Sequence, residues 1–513
     1  MKRTVHSAVA LVWAAVCVGA CDGAPTPSGT VITNVSIVDG TGVPARAGAV
    51  RIVGDTIDAI GDVAPSTGDS VVDGKGLVLA PGFIDTHSHH ASGARKSPDA
   101  VAVVSQGITT IVAGQDGSHP LPLKAAMDAM TAAPVAPNVA WYAGHGTIRD
   151  AVMGQDFKRV ATAKEVDSMA VLLQRELDAG ALGLSSGLEY DPGINSDRAE
   201  VLALAKVTAK AGGRYISHIR SEDRWFWEAI DEIITIGREA KLPVQVSHMK
   251  LGMIPLWGQT DSLIDLLDRA RTDGVDITAD VYPYPYWQST LTVLFPKRDF
   301  DNRAEAEKIL REIAKPEGLL IGTFAADPTY RGKTVAEIAV MRHEDAASTL
   351  MGLIRESIAW EVSKKGTPDS SASSESVVAT SMSEVDVANL TTWPFANISS
   401  DGSMNGAHPR GFGTFPRVLG RYVREQKLMS LEEAIRKMTS LSAAHVGIKR
   451  RGTIAKGAFA DLVLFDPATV IDNSTPKDPH LVSTGIVGVW VNGRRVWENG
   501  KATGVHPGRV LRR

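Results

Sequence analysis

Apolar and polar positions alternate along this chain in two textures. Between residues 80 and 449, short apolar runs rich in β-branched residues recur, and each stops on a polar cluster. Eight such runs are found: "GFIDTHSH", "TTIVAGQD", "NVAWYAGHG", "ALGLSSGLEY", "RYISHIR", "PVQVSHMK", "DITADVYPY" and "ANISSDG". Stretches with helical spacing, such as "VDSMAVLLQRELDAG" and "AEVLALAKVTAKAGG", separate several of them. Strands buried on both faces read as near-continuous apolar runs, so eight strand-helix alternations predict an α/β protein with a (β/α)8, TIM-like barrel. In such a barrel the polar clusters gather at the C-terminal rim, where the chemistry is kept.

The second texture occupies residues 30–79 and 450–513, where short strands and tight turns follow one another, as in "GAVRIVGDTIDAIGD" and "GIVGVWVNGRRVWENGK". Neither end is large enough to bury a core alone, and together they predict one small β-sandwich domain. The stretch from about 288 to 388 is too long for a barrel connection and reads as an insertion. Its Ser-rich piece "GTPDSSASSESVV" reads as a flexible surface loop or active-site cover. The run "SLEEAIRKMTSLSAAHVG", with Ser430 and Glu433 as a capping box, predicts a helix that closes the barrel.

The first residues, "MKRTVHSAVALVWAAVCVGACDGAPTPSG", place two basic residues ahead of an apolar run, which predicts a secretory signal over residues 1–20. The piece "VGAC" resembles a bacterial lipoprotein box. Cys21 would then be the lipidated first residue of the mature chain and residues 21–29 a tether; ordinary cleavage near Ala20 or Ala24 is the alternative. An exported, periplasmic protein, lipid-anchored to a bacterial membrane, is therefore expected. With Cys17 in the signal and Cys21 in the box, the folded part has no thiol for a disulfide or a zinc-thiolate site. A length of 513 residues with 44% hydrophobic residues permits one large enzyme domain with accessory parts. The net charge of -4 gives nucleic-acid binding no electrostatic support.

His87 and His89 end the first run two residues apart, so they project to the same face, while His90 points the other way. Paired imidazoles suit one metal ion, although a bare His-x-His is a weak signal. His218 and His248, at the ends of the fifth and sixth runs, make four imidazoles on three rim positions, which core filling does not explain. Asp116 and Asp401 end the second and eighth runs beside glycines, where Asp is also a common turn residue.

The stretches "PGFIDTHSH", "SHIR", "SHMK", "SSDG" and "GTIAKGAFADLVLFD" resemble the metal-dependent amidohydrolase superfamily. Within it, "GLSSGLEY", "SHIRSE", "DVYPY" and "HPRGFGTFPRVLG" make the chain similar to the N-acyl-D-amino-acid deacylases, or D-aminoacylases, from residue 31 to about 497. The resemblance implies zinc-dependent hydrolysis of the amide bond of a small molecule, an N-acyl-D-amino acid. The D-configuration comes from the resemblance alone. Two other readings stay open: a dipeptidase that releases a C-terminal D-amino acid, and a non-catalytic, membrane-tethered binding protein.

The resemblance also implies roles. In the family a Cys in a Gly-Asn-Cys-Gly context ligates zinc beside the two later histidines, here His218 and His248; this chain has "GQDG", which puts Asp116 in the ligand position. A carboxylate oxygen binds zinc at about 2.0–2.2 Å against about 2.3 Å for sulfur, so the exchange is sterically feasible. A carboxylate also bridges two ions, which would bring in His87 and His89: one tightly bound zinc is expected and a second is possible. Asp401 matches the general base. Lys250, Tyr190, Tyr282 and Arg410 fall in carboxylate-binding motifs, joined by Ser289 or, in a shifted register, Thr290. Glu189, Arg220 and Glu222 are expected as supporting groups, and His145 as a substrate neighbour.

Overall fold

The computed structural model describes Met1 and residues 28–365 and 374–513. The expected signal, Cys21 and most of the tether lie outside the described residues. Eight short parallel strands form the barrel: β1 (Phe83–Asp85), β2 (Ile108–Ala113), β3 (Asn138–Trp141, resuming at Ala143–Gly144), β4 (Gly183–Gly187), β5 (Arg214–His218), β6 (Val244–Val246), β7 (Ile277–Val281) and β8 (Ala396–Ile398). Strand β3 is split at Tyr142, its first part pairing with β2 and its second with β4. The ring closes between β1 and β8, where Ser88 bridges Gly402 and the Asp401 N–H donates to the His87 carbonyl at 2.9 Å. Each apolar run of the sequence carries one of these strands.

Helices surround the strands for the reason their patterns suggest. Ala163–Asp178 starts at a capping box, in which the Thr162 side chain and Glu165 satisfy each other's backbone N–H groups. Its Met169, Leu173 and Leu177, four residues apart, are buried in the main apolar cluster. Full burial of each such leucine contributes roughly 1.5–3 kcal/mol. The closing segment departs from one helix: Thr439, at φ -134° and ψ -87°, divides it into Leu431–Met438 and Ser440–Val446. Of the expected capping box only one half forms: Ser430 accepts the Glu433 N–H, while the Glu433 carboxylate pairs with Arg436.

Both chain ends meet in a second unit. The sequence leads to a sandwich; hydrogen bonding joins all nine strands into one sheet, because Val78–Pro81 takes partners from both ends. It runs parallel to Thr30–Ile37 on one side and antiparallel to Leu462–Phe465 on the other. Ile32, Val50, Ile52, Leu79, Leu462 and Trp490 give this sheet its own apolar cluster.

Between β7 and β8 the insertion builds a three-stranded antiparallel sheet, Tyr286–Ser289, Glu375–Thr380 and Leu319–Phe324, with Glu375–Thr380 in the centre. This corrects the loop reading for the end of the Ser-rich piece, from Ser374 on. Residues 366–373 lie outside the described residues, but Ser374 is buried and the next residues form the central strand. The physical reason is the β-branched run "SVVAT", which the preceding serines obscure.

Candidate active site

The rim gathers these side chains from five strands. His87 follows β1 and is fully buried, while the His89 side chain remains 38% exposed. Asp116 follows β2 after a sharp turn at Gly114 (φ +78°), where a Cβ would stand 2.2 Å from the Tyr142 carbonyl oxygen. His218 ends β5, His248 lies just past β6, and Asp401 lies past β8. Asp116, His248 and Asp401 have φ of +51°, +34° and +46°. Such left-handed backbone costs a non-glycine residue on the order of 1–3 kcal/mol and persists only where the surroundings enforce it.

The two oxygens of Asp116 face different imidazoles. Oδ2 stands 3.3 Å from His87 Nε2 and 3.2 Å from His89 Nε2, and Oδ1 is 3.5 Å from His248 Nε2. His218 Nδ1 is 3.1 Å from His248 Nε2. Across the cluster, Asp401 Oδ1 lies 3.2 Å from His89 Nε2 and 3.5 Å from His87 Nε2, and its Oδ2 accepts from Arg410 at 2.7 Å. Among the described residues three groups of potential ligands result: His87, His89, Asp116 and Asp401; Asp116, His218 and His248; and Glu189, His218 and Glu222. Asp116 is common to the first two.

This donor set fits a metal. Asp116 Oδ1 is buried without a hydrogen-bond partner inside the cluster, where a cation would satisfy it; His87 Nδ1, also unpartnered, lies on the far side of its ring, toward Asp280. Imidazole nitrogen and carboxylate oxygen are both zinc ligands. Carboxylates behind two of the rings fix their orientation: Glu189 Oε2 is 2.9 Å from His218 Nε2, and Glu222 Oε1 is 2.9 Å from His248 Nδ1. Each thereby leaves the other ring nitrogen aimed into the cluster, as carboxylate-histidine-metal arrangements require. Burial would raise the Asp401 carboxyl, but the Arg410 charge and the neighbouring imidazoles outweigh it and hold the group below the usual carboxylate range. It is therefore ionised and able to accept a proton.

The structure also draws the remaining candidates together. Lys250 Nζ is 2.5 Å from Glu222 Oε1, and the Arg410 guanidinium stacks 4.7 Å from the Tyr282 ring centre, whose buried hydroxyl has no hydrogen-bond partner. Two cavities meet here. A small one, about 50 Å³, is lined by Lys250 and Tyr282; a larger one, about 840 Å³, passes His89 and Asp116. Tyr190, His248, Gln288, Ser289, Asp401 and Arg410 line both, whereas Thr290 lines only the larger.

His145 is a correction. It is fully buried and stands 2.7 Å from Glu200, away from both cavities, because Glu200 on the helix Arg198–Lys210 also holds Arg149 there. Arg220 pairs with Glu232 at 2.8 Å, and His90 lies against the Gly411 carbonyl at 3.1 Å. Sequence reasoning missed Asp280, whose Oδ1 accepts from the His248 N–H at 2.9 Å and from Ser399 at 2.6 Å. A signal existed, since Asp280 is a carboxylate inside the apolar β7 run. It also missed Gln288 and Thr323, for which no motif speaks.

The chain matches the Amidohydrolase family over residues 70–358 and 396–497. It is 33% identical over 512 residues to the D-aminoacylase of Alcaligenes xylosoxydans xylosoxydans, covering 95% of this chain and 98% of that protein. It is 35% identical to the N-acyl-D-glutamate deacylase of the same organism, over 94% and 96% of the two chains. Among solved structures, N-acyl-D-glutamate deacylase from Bordetella bronchiseptica, complexed with zinc and a phosphonate mimic of the tetrahedral intermediate, superimposes with a TM-score of 0.83. Its identity is 34%, covering 95% of this chain and all of that one. Barrel, rim cluster and near full-length similarity agree: this chain belongs to the amidohydrolase family, on its D-aminoacylase branch.

Proposed function

We propose that this protein hydrolyses the amide bond of N-acyl-D-amino acids, releasing a carboxylic acid and a free D-amino acid, with zinc as its cofactor. The observation that carries this reading is the shared carboxylate: Asp116 presents one oxygen to His87 and His89 and the other to His248, with Asp401 across the same space. His218, His248 and Asp116 would hold the tight zinc, and His87 and His89 a second ion. When bound, zinc supplies a Lewis acid and makes water a stronger nucleophile at neutral pH.

The chain's own residues account for the rest. Asp401, ionised and 7% exposed, takes a proton from the attacking water and returns it to the departing nitrogen, which leaves only once protonated. Arg410 holds Asp401 in place and, with Lys250 and the Tyr282 hydroxyl, presents donors to the substrate carboxylate. Glu189 and Glu222 keep two imidazoles turned inward. The test is zinc analysis of purified protein together with hydrolysis of matched N-acyl-D- and N-acyl-L-amino acids. Turnover of the D-series that Asp401→Asn abolishes, with zinc retained, supports the reading; absence of D-series turnover in zinc-loaded protein overturns it.

The N-terminal sequence supports export and lipid attachment at Cys21. Cys21→Ser is expected to move the protein from the membrane fraction to the soluble periplasmic one.

A further inference from the structure

The barrel also opens at the end of its strands opposite the rim. A cavity of about 270 Å³ lies there, and none of its lining residues lines either cavity of the rim. Strand β5 joins the two ends, with Arg214 at this cavity and His218 in the imidazole cluster, about 13 Å apart at the rise of a strand. Side chains on this face of a barrel ordinarily serve stability. Several of these have polar groups that the fold does not use.

Three donors line the space without a full set of partners. Among the described residues Arg214 makes no ion pair and no side-chain hydrogen bond. Arg271 lies 3.5 Å from the centre of the Phe395 ring and donates to the Ile277 carbonyl. Its nearest carboxylate among the described residues, Asp276, is 3.6 Å away and 57% exposed. Tyr142 is 1% exposed, yet its hydroxyl has no hydrogen-bond partner among the described residues. Burial raises that phenol above its usual range, so it stays protonated and able to donate. Two guanidiniums against one exposed carboxylate leave the cavity positive. His445 adds no charge, since burial and the neighbouring arginines push its imidazole down to about 3.

The rest of the wall is apolar: Pro243, Val244, Phe395, Leu441 and Ala444 present hydrocarbon, as do the rings of Tyr142 and Tyr215. Inorganic phosphate would satisfy the guanidiniums and leave that surface against water. A carboxylate on an apolar body satisfies both, because its oxygens match a guanidinium fork and its body covers the hydrocarbon. The volume lies near the lower end of ligand pockets, which suits a small acid such as phenylacetate. We propose that this cavity binds a small organic carboxylate with an apolar body, held by Arg214, Arg271 and the Tyr142 hydroxyl. The site is separate from the rim and does not depend on the amide hydrolysis proposed above.

The experiment is calorimetric titration of the full, zinc-loaded protein with phenylacetate. Such an acid also suits the rim, so variants at the two ends of the barrel are compared. The expected result is a binding event that Lys250→Gln and Arg410→Gln leave unchanged and that Arg214→Gln weakens at least about tenfold, the scale of a lost charge-assisted hydrogen bond. Tyr142→Phe removes one oxygen and should weaken it about threefold or more; it carries the test alone if circular dichroism shows Arg214→Gln unfolded. Phenylacetamide, which lacks the charge, should not bind at this end, and phosphate should bind more weakly than phenylacetate. The proposal is overturned if every binding event is lost in the rim variants, if Tyr142→Phe and a folded Arg214→Gln bind like the parent, or if phosphate or phenylacetamide matches phenylacetate.

Discussion

The two halves of the imidazole cluster are held by different means. His218 and His248 are buried, and each has a carboxylate on its outer nitrogen, Glu189 on one and Glu222 on the other. His87 has Asp280 no nearer than 3.8 Å, and the His89 side chain is 38% exposed. The inner half is thus preorganised, whereas in the outer half His87 is buried without a close carboxylate on Nδ1 and His89 is partly open to solvent. Preorganised ligands lose less freedom on binding, so the tighter metal site is expected on the His218 and His248 side.

The largest effect should come from the residue common to both halves. Asp116→Ala is expected to lower kcat/KM by at least about 10³-fold, or about 4 kcal/mol, and to remove zinc in elemental analysis while circular dichroism stays unchanged. Full zinc content in that variant would break the comparison at its hinge. Next come the two halves taken separately. His218→Ala should lose the tightly held ion, whereas His89→Ala should keep it and lose only a second equivalent that dialysis against a weak chelator already removes. Equal losses in the two variants would mean that the halves do not differ.

A smaller effect sharpens the same contrast. Glu189→Gln keeps a hydrogen-bond acceptor on His218 but removes the charge, so zinc affinity should fall about tenfold, at the low end of what outer-sphere partners contribute. Competition with a chromophoric chelator measures it without reference to turnover.

The smallest prediction compares two buried carboxylates. Glu222 is lowered below its usual range, because the charges of Lys250, His218 and His248 outweigh its burial. Glu375 takes the opposite course: burial outweighs the Leu291 N–H and pushes its carboxyl up to about 8. A carboxyl raised in the folded state stabilises the protein fully below its unfolded value of 4.5, and that contribution declines as pH rises toward 8. Thermal unfolding of the native protein should therefore shift to lower temperature between those pH values. In Glu375→Gln this part of the shift should vanish.

What the sequence revealed follows from the same physics. The barrel strands were readable because burial on both faces leaves unbroken apolar runs, and a strand end is a fixed address on the rim. That is why His87, His89, His218 and His248 could be named as one group before any coordinates, and the family resemblance added Asp116 and Asp401 to them. His145 had the same kind of address after β3 and turned away, since a partner on a neighbouring helix decides where a rim side chain points and spacing does not record it. The insertion sheet was hidden for a different reason. Its edge strand Tyr286–Ser289 pairs with Glu375–Thr380 across most of the insertion, and no local period links two such distant segments.

The strand Val78–Pro81 has one further consequence. Its neighbour Thr30–Ile37 precedes it in the chain, but Leu462–Phe465 on its other flank is synthesised only after the whole barrel. Until then an apolar β-ribbon edge stays open, a template for joining another unfinished polypeptide. Chains truncated before residue 462 should aggregate even with every rim ligand in place, and refolding of the intact protein should be slow, as sequence-distant pairing demands.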